Sequence, residues 1–157
     1  MAKTSAGLLM YRFRDKILEV FLVHPGGPFW AKKDHGSWSI PKGEYEPPDN
    51  PLEAAKREFL EETGFVARGN FIELKSVKQQ NKKVTAWAFE GDCNPAAIRS
   101  NTFSMEWPPG SDRMMEFPEV DRAAWFTLET ARMKIIHAQA SILDELCIIL
   151  LDGISYM

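Results

Sequence analysis

The apolar positions of the chain fall into runs of two periods. Residues 5–13 (SAGLLMYRF) and 17–25 (ILEVFLVHP) are apolar and partly alternating, and the polar RDK between them predicts a β-hairpin. A Gly-, Lys- and aromatic-rich loop follows over 26–37, and WSIPKG predicts a short strand ending at Pro41. Asn50 then precedes Pro51, with Glu53 three residues after Asn50. That pattern of N-cap, proline at the first helical position and capping acid predicts a helix from Pro51 to about Thr63, stopped by Gly64. FIELKSVKQ (71–79) and KVTAWAFEG (83–91) predict two more strands. Residues 94–121 are polar and proline-broken and predict a long connection. RAAWFTL (122–128) predicts a final strand. LETARMKII and HAQASILDELCIILLDG carry helical periodicity, with Ile142, Leu146, Ile149 and Leu150 on one face. Strands and helices mix without a regular βαβ repeat, so the expected class is α+β, a mixed sheet with helices on its faces.

Composition narrows this picture. The 157 residues suit one domain, and 45% hydrophobic content is enough for a core without staples. A net charge of −3 offers no basic field for nucleic acid or anionic lipid. The N-terminal residues lack a long apolar segment, and no run reaches a membrane span. Cys93 and Cys147 lack metal-ligand or redox spacing and are read as buried thiols in a reducing compartment, so the expected location is cytoplasmic. Oligomeric state is not legible.

The predicted helix 51–63 carries the chemistry. On a helical wheel Leu52, Ala55 and Phe59 make a packing side, and Glu58, Glu61 and Glu62 fill an arc of roughly 100° beside it. These acids sit in the last turn, where the helix dipole disfavours negative charge and like charges repel. A solvated face with Arg57 offsetting Glu61 accounts for the spacing. So does a site for hard divalent cations such as magnesium, which take carboxylate oxygens.

The context of the helix resembles the Nudix box, G-x5-E-x7-R-E-U-x-E-E-x-G-U, where U is bulky and apolar. Gly43 begins it, Arg57 and Glu58 fall in register, Phe59 takes the first U, Glu61 and Glu62 follow, and Gly64 and Phe65 close it. Asp49 stands where the pattern has glutamate. A strand ending in PKG before the box and EFPEVDRAAWFTLETA near the end extend the similarity, more weakly, over most of the chain.

The resemblance implies an α/β/α sandwich around a mixed sheet, one Nudix domain over residues 1–157, and hydrolysis of a nucleoside diphosphate linked to another moiety. It implies magnesium, or manganese, held by Glu58 and Glu62 with Glu61 as a further, catalytic acid and the Lys42 carbonyl as an extra ligand. Arg57 would orient an acid of the cluster. Members often use another acid outside the box, for which Glu116 and Glu119 are the candidates. Lys32, Lys33 and Lys42 are candidates for phosphate contact, against a merely solvated role, and His35 is read as a surface residue. Trp30 is a candidate stacking surface for a base. Trp87 and Phe89 share a strand face that is either core or pocket, and Trp38 and Trp125 are read as core. The substrate expected first is a dinucleoside tetraphosphate, then a nucleoside triphosphate. The tyrosine usual after the box in diadenosine polyphosphate hydrolases is missing, as is the proline of ADP-ribose hydrolases. A catalytically inactive nucleotide-binding module is the alternative, and a Nudix-fold isomerase or an RNA-end hydrolase a third. The retained box acids favour the enzyme, and the acidic balance disfavours RNA.

Overall fold

The computed structural model describes the backbone of residues 3–155 and the side chains of residues 3–151. β1 (Lys3–Arg14) and β2 (Ile17–Pro25) pair antiparallel through Tyr11–Arg14 and Ile17–Val20. Beyond Tyr11 the two strands part, and residues 39–45 run between them. Ser39 bridges to Val23 of β2, and β3 (Lys42–Tyr45) pairs antiparallel with Thr4–Gly7 of β1. The strand expected to end at Pro41 therefore begins just after it. Pro41, with no N–H to donate, marks the crossover, and its carbonyl accepts from Leu8 N at 3.1 Å. Gly7 is needed there: a Cβ on it would lie 2.6 Å from the Pro41 oxygen.

The box helix α1 (Pro51–Thr63) leads to β4 (Ile72–Glu73) and β5 (Val77–Gln79), then β6 (Lys82–Glu90). The single strand read over 71–79 is thus two short pieces, both antiparallel to β6. The long connection 94–121 is more ordered than its prolines suggest. It holds a short 3₁₀ turn (Pro95–Ala97) and a separate hairpin of β7 (Thr102–Glu106) and β8 (Met114–Pro118). The period-two pattern of Phe103 and Met105 against Met115 and Phe117 lies hidden beside WPPG. β9 (Val120–Thr127), α2 (Leu128–Lys134) and α3 (Ala140–Ser155) complete the chain.

The main sheet runs β4-β6-β1-β2-β9, with β3 on β1 and β5 on β6; β1 and β6 are parallel. Its central strands read as continuous apolar runs because both faces are covered. Leu9, Val20, Leu22, Val84 and Ala86 pack under α2 and α3, whose Ala131, Ile142, Leu143 and Leu146 are fully buried. Leu8, Met10, Phe21, Trp87 and Phe89 pack under Ala54, Ala55 and Phe59 of α1. This is the α/β/α sandwich around a mixed sheet that the box implied. Trp38 is core, as expected, while Trp125 is half-buried, with its ring 5.4 Å from Phe21. Cys93 and Cys147 are half-buried rather than buried, and neither is in a disulfide. Among the described residues, no helix is long and apolar enough to cross a membrane.

Candidate active site

Local signals start and stop α1 where the sequence places them. The Asn50 side chain accepts from Glu53 N at 3.1 Å, Pro51 opens the helix, and Gly64, at φ 82°, donates its N–H to Leu60 O. Phe59 is fully buried, with ring centroids 5.5 Å from Phe89 and 6.4 Å from Phe21. That anchoring sets Glu58 and Glu62 beside the packing side, over the Lys42–Gly43 backbone where β1 and β2 part. The Lys42 backbone N–H donates to Glu62 Oε1 at 3.2 Å. A Cβ on Gly43 would overlap the Glu58 carboxylate, so the box glycine is the cradle for that acid. Arg57 Nη2 lies 3.6 Å from Glu58 Oε1, its Nε 4.0 Å from Glu61, and its Nη1 3.8 Å from Asp49. The departure at Asp49 thus still reaches the box arginine, in an exposed pair that stabilises little.

No basic residue sits in the last turn of α1 to offset its dipole. Backbone donors do so instead. Arg99 N donates to Thr63 O and Asn101 N to Glu61 O, both at 2.8 Å. The same segment fixes Glu119. Its N–H donates to Asn101 O at 2.8 Å, its carbonyl accepts from Gly26 N at 2.9 Å, and Val120 N donates to Ser100 Oγ at 2.9 Å. Glu119 is thereby brought beside the box acids. Burial pushes the Glu62 carboxyl up to about 8, with Glu119 and Glu58 adding and Lys42 opposing. Glu58 is raised by burial and then by Glu61, and Glu119 by burial and then by Glu61. Burial lowers the Lys42 ammonium, against the pull of Glu62.

Among the described residues, no three His, Cys, Asp or Glu side chains stand close enough to enclose an ion as they are. The donor set nevertheless suits a hard divalent cation. Four carboxyls, from Glu58, Glu61, Glu62 and Glu119, face one another under mutual repulsion, partly desolvated, with Lys42 and Arg57 as the nearby cations.

The cleft beside these acids encloses about 450 Å³, and its walls include Trp30, Lys42, Glu62, Gln79, Glu119 and Ile136. Of the expected contacts, Lys42 and Trp30 are therefore on the site. Lys32 and Lys33 are exposed on the loop beside it, the Lys33 ammonium 4.9 Å from the Trp30 ring centre, and His35 is exposed too. Glu116 is exposed on β8, opposite Ser104, away from the cleft walls. Trp87 is 8% exposed and packed in the core under α1, so the pocket role weighed for it is withdrawn in favour of core packing.

Two features escaped the sequence reading. His24, fully buried on β2, donates from Nε2 to the Lys33 carbonyl at 2.6 Å and places Nδ1 2.8 Å from Asp121 Oδ1, tying down the loop that carries Trp30. Gln79, at the end of β5, lines the cleft in contact with buried Gln139. A lone histidine in an apolar strand and a glutamine in a polar run carry no spacing signal.

The NUDIX domain model matches residues 1–146. No curated protein matches the sequence. Among solved structures, a binary complex of Caenorhabditis elegans Ap4A hydrolase is similar at 22% identity and a TM-score of 0.69, over 96% of this chain and 98% of that one. The NUDIX domain of Shewanella oneidensis NrtR, complexed with ADP ribose, is similar at 14% identity and a TM-score of 0.66, over 96% of this chain and 89% of that one. A mutT/nudix family protein from Listeria innocua is similar at 12% identity and a TM-score of 0.61, over 99% and 98%. These likenesses are of fold, and the family rests on the domain match: the chain belongs to the NUDIX family and is a Nudix hydrolase, an enzyme of the pyrophosphohydrolase type.

Proposed function

We propose that the protein hydrolyses a pyrophosphate bond in a nucleoside diphosphate linked to another moiety, with magnesium as cofactor and a dinucleoside tetraphosphate as leading substrate. The carrying observation is a group of neighbouring acids, Glu58, Glu61, Glu62 and Glu119, of which Glu62 and Glu119 line a cleft of about 450 Å³. The similar C. elegans protein is an Ap4A hydrolase, and the similar S. oneidensis domain was solved with ADP ribose, which supports a nucleotide substrate. A nucleoside triphosphate is the next candidate.

Glu58, Glu61 and Glu62 would hold the cation, with Glu119 at the open side. When bound, a divalent ion neutralises phosphate oxygens and lowers the pKa of a coordinated water. The protein's own contributions are separable from that. Burial and then the Glu61 carboxylate raise the proton affinity of Glu119, which suits it to accept a proton from the attacking water. Arg57 holds Glu58 and Glu61 by ion pairs. Lys42 carries a cation into the cleft for a phosphate oxygen, and Trp30, 39% exposed, offers a ring face to a base. The two thiols outside any disulfide support a cytoplasmic setting.

The test is a product-resolved screen of dinucleoside polyphosphates, nucleoside triphosphates, nucleotide sugars and ADP-ribose, with and without magnesium. Turnover of dinucleoside tetraphosphate, abolished by chelation, is the expected result. Binding without turnover across the panel overturns the reading in favour of an inactive nucleotide-binding module.

A further inference from the structure

Gln79 and Ser39, which line the cleft, belong to a hydrogen-bonded set whose orientation follows from one unambiguous donor. The Ile40 backbone N–H can only donate, and it meets Gln139 Oε1 at 3.0 Å. The other end of Gln139 is therefore its NH2 group. That group donates to Ser39 Oγ at 3.0 Å and to Gln79 Oε1 at 3.0 Å, while the Ser39 hydroxyl passes its own proton to Ile40 O at 2.7 Å. Gln139 is fully buried, so flipping it would set its NH2 against the Ile40 N–H and its oxygen against the Gln79 oxygen, leaving buried groups unpaired. The flip is blocked. The oxygen of Gln79 is thus engaged, and its NH2 end has no partner among the described residues.

Gln79 lines the same cleft as Trp30, Ile136, Ala138, Glu62 and Glu119. We propose that Gln79 is a specificity-determining residue, presenting its NH2 as a fixed donor to an acceptor atom of the nucleotide, and that Gln139 is the positioning residue that sets this polarity. The proposal rests on the nucleotide-hydrolase reading. The acceptor is either a carbonyl or ring nitrogen of the base or a phosphate oxygen. The free end of Gln79 is a donor, so an amino group placed against it is disfavoured.

Gln79→Glu keeps the bond from Gln139 but turns a carboxylate to the cleft. Gln139→Glu keeps the bond from Ile40 N–H and makes the Gln79 amide turn, exposing its oxygen while residue 79 is unchanged. The experiment measures kcat/KM for adenine, guanine and uracil dinucleoside tetraphosphates, together with Kd for the corresponding mononucleotides without metal. Thermal melting and near-ultraviolet circular dichroism confirm the fold of each variant. Both variants are expected to weaken recognition about 10-fold or more. Loss confined to some bases identifies a base acceptor, and equal loss for all identifies a phosphate oxygen; either supports the proposal. Folded Gln79→Glu within twofold of wild type on every nucleotide overturns it. Should wild type itself neither turn over nor bind any nucleotide, the function proposed above fails as well.

Discussion

The two walls of the cleft are built by opposite means. The acidic wall is one helix plus one tied residue. Glu58, Glu61 and Glu62 share α1, and only Glu119 comes from elsewhere, bonded back through Asn101. Its groups crowd like charge, and its chemistry waits on a counter-cation. The amide wall is neutral and complete. Gln139, Ser39, Ile40 and Gln79 meet from three segments and satisfy one another apart from a single NH2. Charge held in tension suits a wall that must bind metal and phosphate. A neutral network without tension suits a wall that must hold one shape and choose among ligands.

Removing one ligand is the sharpest way to break this contrast. Glu62→Gln keeps shape and drops a charge, and kcat is expected to fall by roughly 10³-fold or more. Steady-state kinetics over a magnesium titration check this, and near-wild-type turnover at saturating magnesium removes Glu62 from the ligand set. Phe59→Ala attacks the anchoring instead. The fully buried ring fills the space between α1 and the sheet, and its loss is expected to cost about 3–5 kcal/mol in urea unfolding.

Proton linkage separates the walls next. Glu62, Glu58 and Glu119 all have folded pKa values above those of the unfolded chain, Glu62 rising from 4.5 to about 8. Between those values the metal-free native state holds more protons than the unfolded state, so stability falls as pH rises through that window. Urea midpoints measured with chelator from pH 5 to pH 8 are expected to decline. Magnesium, or Glu62→Gln, is expected to flatten the decline, and the uncharged change Gln79→Ala to leave it nearly unchanged. The smallest expected effect is Asn50→Ala, which removes the cap of α1. It should cost about 1 kcal/mol by the same unfolding assay and leave kcat alone.

The acidic wall was legible in the sequence because its signals are local. Asn50, Pro51 and Gly64 bound the helix within a few residues of the groups they cap, and the spacing of Glu58, Glu61 and Glu62 is itself the geometry. Glu119 was legible only as one of two acids. What separates it from Glu116 is a backbone bond to Asn101, across the hairpin. The amide wall left no trace, because Gln79 and Gln139 lie 60 positions apart and Gln139 and Ile40 lie 99 apart. No periodicity spans such distances. Trp87 shows the limit from the other side: its alternation with Phe89 fixed a face, but whether that face was covered depended on α1. The β7–β8 pair was lost to its own prolines and charges.

That hairpin leaves the main sheet through Asn101 and returns through Glu119, and the bond from Glu119 N to Asn101 O closes its neck. The Glu119 backbone is therefore clamped where the excursion ends. Beyond the neck the hairpin also touches the loop after β2, the Trp107 ring centre lying 5.5 Å from that of Phe29. Lengthening, trimming or exchanging the hairpin would reshape the outer rim while the hydrolytic core kept its spacing.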